Sequence, residues 1–121
     1  MYLRKHTLAV VTTTDSTDTF TTTGDIDYGI YGVELVHGAT PLSSTASVAV
    51  ITGTGAVTII SGVSCSTGNW MLLPRVKEST STGTLASAGI FPVYGEKVSV
   101  VVSETSAAGQ LATVNLYEGG E

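Results

Sequence analysis

Ser47-Val48-Ala49-Val50-Ile51, Thr52-Gly53-Thr54-Gly55, and Ala56-Val57-Thr58-Ile59-Ile60-Ser61 follow one another without a break. Two runs rich in β-branched residues flank a four-residue segment with two glycines. Side chains alternate across a strand, so Val48 and Val50 share one face. Val, Ile and Thr suit a pleated, half-buried surface. Glycine admits the positive φ values that tight turns require, so the stretch reads as a β-hairpin closed at Gly53 and Gly55. Val48, Val50 and Ile59 are expected in the core.

The same grammar extends outward. A first strand is expected over Leu3 to Thr13, with Leu8 and Val10 inward, turned by Asp15-Ser16-Thr17 into a short polar strand over Thr19 to Thr22. After a Gly24–Gly29 loop, Ile30 to His37 alternates, with Tyr31, Val33 and Leu35 expected on one face and Gly32 and Glu34 on the other. Asn69 to Leu73 reads as a strand stopped by Pro74, which cannot donate to a ladder. Val98, Val100 and Val102 align in Lys97 to Ser103, and Ala112, Val114 and Leu116 align in Gln110 to Tyr117, with Ala107-Ala108-Gly109 as the turn between. Residues 78–89 hold mostly Ser, Thr, Gly and Ala and are expected to form an exposed loop, and the tail 118–121 is expected to fray. No window carries helical periodicity free of Gly, Pro or clustered Thr. The expected fold is all-β: a single domain over 1–121, an antiparallel β-sandwich or partly closed, jelly-roll-like barrel of about eight short strands.

Composition narrows the function. Roughly a quarter of the 121 residues are Thr or Ser, and 42% are hydrophobic, too many for a disordered chain. Charged residues supply 12% and the net charge is −5, which argues against a phosphate-binding surface and hence against nucleic acid as a partner. No run approaches the ~20 apolar residues of a membrane helix, and the apolar run Leu8 to Val11 is too short for a signal-peptide core. The lone Cys65 has no disulfide partner within the chain and is expected to be a small buried residue, in keeping with a reducing compartment.

Chemistry-bearing motifs are sparse. Gly62-Val63-Ser64-Cys65-Ser66 resembles a nucleophile elbow but lacks its final glycine and following helix. A Cys65–His37 dyad would need the fold to bring the two together. Asp15, Asp18, Asp25 and Asp27 could offer oxygen ligands to calcium, but the spacing is not that of an EF-hand and aspartate is favoured in turns. No catalytic residue, metal site or cofactor is therefore expected, and the chain is not read as an enzyme. Interface residues are a separate matter. Tyr2, Arg4, Lys5 and His6 set positive charge on a terminal strand of an acidic chain, where it could steer association, and Trp70 and Arg75 join them as candidate contacts.

Met1-Tyr2-Leu3-Arg4-Lys5-His6-Thr7-Leu8-Ala9-Val10, the Ser47–Ser61 hairpin, the Trp70…Pro74-Arg75 stretch and Glu96-Lys97-Val98-Ser99-Val100 together resemble a family of small bacteriophage head decoration, or cement-like, structural proteins. The likeness touches most of the chain and departs from the family's pattern at Ser79 to Gly89. It implies a virion structural protein made in the bacterial host cytoplasm and carried on the capsid exterior. The implied partner is the major capsid protein or a neighbouring virion protein, with a homo-oligomer, a trimer favoured, bridging capsid subunits; the family has no active site to transfer. Two other classes fit the composition: a tail, connector or fibre-associated β module, and a carbohydrate-binding module, which would need Trp70 and several tyrosines on one exposed face.

Overall fold

The computed structural model describes residues 2–13, 16–54, 57–65, 68–74, 77–79, 85–87, 91–93 and 95–120, with side chains left out at 2, 77–79, 85–87, 92 and 120. Its strands are β1 (Tyr2–Val11), β2 (Thr17–Thr21), β3 (Gly29–His37), β4 (Ser47–Thr52), β5 (Thr58–Ser64), β6 (Trp70–Leu72), β7 (Lys77–Ser79), β8 (Leu85–Ser87), β9 (Phe91–Pro92), β10 (Val98–Ser103) and β11 (Leu111–Gly120). The described residues contain no α-helix.

The strands build an antiparallel β-sandwich. One sheet runs β1-β11-β3-β6, with β9 pairing the start of β3; the other runs β2-β10-β4-β5. Period-2 alternation decides what lies between them. Val48 and Val50 of β4, Val98, Val100 and Val102 of β10, Val33 and Leu35 of β3, and Val114 and Leu116 of β11 are all fully buried, and Ile59 nearly so. Burying such side chains stabilises by roughly 1.5–3 kcal/mol each before chain entropy is counted. The hairpin of the opening stretch closes as expected, Val48 opposite Val63 and Val50 opposite Ile60. Most other connections change sheet: β1 to β2, β2 to β3, β3 to β4 and β10 to β11 each cross the sandwich. The β2–β3 crossover caps one end, where Ile26 is fully buried and exchanges backbone hydrogen bonds with Glu96 and Gly95.

Four expectations are corrected. Within the expected 78–89 loop, Lys77–Ser79 and Leu85–Ser87 form a two-stranded antiparallel ladder, β7–β8. Backbone pairing asks for no particular side chain, so a stretch of small and polar residues satisfies a ladder as readily as a loop. Of the expected frayed tail, Glu118, Gly119 and Gly120 are the end of β11 and Glu118 is fully buried, while Glu121 lies outside the described residues. Tyr31 does not share a face with Val33 and Leu35: the register shifts between Tyr117 and Glu118 opposite it, so Ile30 turns inward and Tyr31 outward. Gly53 does not have positive φ. Its requirement is room, because a Cβ there would stand 2.8 Å from the Lys97 carbonyl oxygen.

Candidate functional site

At the end of the sandwich capped by the β2–β3 crossover, the apolar interior becomes polar. On β11 the inward positions Ala112, Val114 and Leu116 are followed at the same spacing by Glu118. On β1 the inward Val10 and Leu8 give way to His6 and Arg4, and Arg4 stands directly opposite Glu118 in the ladder. A carboxylate without water needs a partner for each lone pair and a compensating charge. Glu118 has both. Its Oε1 accepts from Arg4 Nη2 at 2.9 Å and from His6 Nε2 at 2.9 Å. Its Oε2 accepts from the amides of Asp27 at 2.7 Å and Tyr28 at 3.1 Å.

Arg4 Nε also lies 3.2 Å from His6 Nε2. Burial alone raises the Glu118 carboxyl. The hydrogen bonds from His6 and from the Asp27 and Tyr28 amides, with the Arg4 charge, outweigh it and hold the group below the ordinary carboxylate range. Arg4 Nη2 also donates to the Asp25 carbonyl at 3.0 Å, so one guanidinium joins β1, β11 and the crossover. A cleft of about 400 Å³ opens over this cluster, lined by Arg4, His6, Thr23, Gly24, Asp25 and Asp27. With four donors on its two oxygens, Glu118 acts as a tie between three segments.

A second polar row crosses the outer face of the same sheet, where Thr7, Asn115 and Glu34 stand side by side on β1, β11 and β3. Thr7 Oγ1 donates to Asn115 Oδ1 at 2.9 Å, and Asn115 Nδ2 and Tyr117 OH donate to Glu34 Oε1 at 2.9 and 3.0 Å. The hydrogen bonds from Asn115 and Tyr117 lower the Glu34 carboxyl, and the bond to Glu34 raises the Tyr117 phenol.

The expected interface residues part company. Arg4 and His6 are joined by Glu118, so the Arg4 charge is balanced inside the chain. Lys5 stays exposed on the outer face, opposite Tyr117. Tyr2 takes its place in β1, its side chain undescribed, and Arg75 lies outside the described residues. Trp70 pairs with Leu35 and packs partly buried against the core, not on an exposed aromatic platform. Its Nε1 is buried and has no hydrogen-bond partner among the described residues. Asp15 lies outside the described residues, while Asp18 accepts from the Thr13 amide and hydroxyl at 3.1 and 2.7 Å, a turn contact. Cys65 is buried in the core, which raises its thiol, and His37 Nδ1 accepts from the Leu42 amide at 3.3 Å. Glu118 was not among the expected site residues. Its signal is the alternation of Ala112, Val114 and Leu116 carried one step further.

The fold and site define an antiparallel β-sandwich with an internally tied acidic group. No protein-family model matches the chain, and no curated protein matches it. Among solved structures the chain is similar to one titled "Crystal Structure of FLHE", at 9% sequence identity and a TM-score of 0.48, with 98% of each chain covered.

Proposed function

We propose that this chain is a bacteriophage virion structural protein, a decoration protein that attaches to the outside of the head and bridges neighbouring capsid subunits. One observation carries the reading: the two outer faces of the sandwich differ in chemistry. On the β2-β10-β4 side the register sets Thr17 beside Ser103 and Ser47, Thr19 beside Val101 and Ala49, and Thr21 beside Ile51 and the buried Ser99, a face dominated by hydroxyls and small side chains. On the β1-β11-β3-β6 side, Leu3, Val11, Tyr31 and Met71 are exposed, with Leu73 just beyond β6, whereas the other sheet has only Val57, just before β5, among the exposed large apolar side chains described. Exposed apolar side chains on one sheet, with Met71 and Leu73 both lying over Gly32, mark a docking face. A module that mounts by one face on a repeating lattice gains avidity from many weak contacts. The resemblance in the terminal strand, the hairpin and the β10 segment supplies the lattice: the major capsid protein or a neighbouring virion protein.

The test is to purify particles from the source that encodes the chain, image them at residue resolution, and repeat with Met71→Lys/Leu73→Lys. Copies at repeated positions on the capsid exterior, lost in the variant while its circular dichroism is unchanged, support the reading. Copies confined to the tail or connector point to the neighbouring class of virion module. Absence from particles overturns both.

A further inference from the structure

We propose that the free edge of β1 pairs antiparallel with the β1 edge of a second copy of this chain, about a twofold axis through Thr7. β1 is ten residues long and stands at the end of its sheet, and its ladder runs along β11 alone among the described residues. A long open edge presents a row of unpaired N–H and C=O groups, a ready template for another strand.

The side chains pick the occupant. Leu3 and Val11, 61% and 50% exposed, are the two most exposed of the large apolar side chains described. They lie eight residues apart on the same face of β1, with Lys5, Thr7 and Ala9 between them. Residues directly opposite each other in an antiparallel pair share a face, so a twofold axis must pass through a residue and not between two. Centring on Lys5 would set two ammonium groups against each other, which is unfavourable. Centring on His6, Leu8 or Ala9 would leave Leu3 or Val11 beyond the end of the partner strand. Thr7 alone pairs Leu3 with the partner's Val11 at both ends. Lys5 then stands opposite Ala9 and Arg4 opposite Val10, so no like charges meet. The pairing is isologous and closes at two copies. It does not depend on attachment to a shell.

Sedimentation velocity on the full chain over a concentration series tests it. The native chain is expected to reach twice its 12.4 kDa mass. Leu3→Lys/Val11→Lys sets ammonium groups opposite each other at both ends and should raise the dissociation constant on the order of tenfold or more. Leu3→Lys/Val11→Glu places opposite charges in the same two pairs and should restore the dimer, which also shows that loss in the first variant is not misfolding. A native chain that stays monomeric, a trimer, or a dimer indifferent to both variants overturns the proposal.

Discussion

Arg4 and Glu118, separated by most of the chain in sequence, stand directly opposite each other in the β1–β11 ladder and meet at 2.9 Å inside the sandwich. Arg4 is 43% exposed and Glu118 is fully buried, so the pair is half in water. The buried member determines the energetics. Its loss leaves the Asp27 and Tyr28 amides and the His6 ring without their acceptor.

Glu118→Ala is therefore expected to destabilise by about 3 kcal/mol or more, since removing one partner of a buried pair leaves the others unpaired. Arg4→Ala, which keeps the His6 and amide contacts, should be milder. The two effects should be non-additive, because the double variant loses the shared contact only once. Urea denaturation of the two single variants and the double variant measures the coupling, and strict additivity would contradict the tie.

The pH dependence follows from the sign of the shift. Glu118 is lowered in the folded chain, so the stability it contributes is fully present above the unfolded carboxyl value of 4.5 and is lost as pH falls through the folded value. The half-buried Glu34 is lowered too and adds a weaker trend of the same sign. Thermal midpoints should fall below about pH 4.5. Glu118→Gln should flatten that fall, and a profile unchanged by the substitution would remove Glu118 as its source.

Gly53→Ala should cost about 1–3 kcal/mol, because the new methyl would meet the Lys97 backbone oxygen, which cannot rotate away as a flexible side chain could. A chemical-denaturation midpoint indistinguishable from that of the native chain would show that the turn yields without cost.

Trp70 offers a contrast between packing and hydrogen bonding. Its Nε1 is buried without a partner among the described residues, while its ring packs against the core. Trp70→Phe removes the unpaired donor along with some volume and should change stability by about 1 kcal/mol or less. Trp70→Ala should cost roughly 3 kcal/mol by leaving a cavity. Equal losses in the two variants would mean that the indole nitrogen has an acceptor.

The amino-acid sequence by itself determined the longer strands and most of their inward faces. Alternation at Val48 and Val50, at Val98, Val100 and Val102, and at Ala112, Val114 and Leu116 is a local property of a pleated chain, and a core needs those side chains together whatever the strand order. The tertiary structure alone decided who meets whom. Glu118 looked like part of a loose acidic tail because no local pattern names Arg4, His6 and two crossover amides as its partners. A charge is buried only when distant segments supply its donors at once. The Ile30–Tyr31 bulge and the crowding at Gly53 have the same origin: each is set by a neighbouring strand, β11 in one case and the segment leading into β10 in the other, and such distances are fixed only when the sheets close.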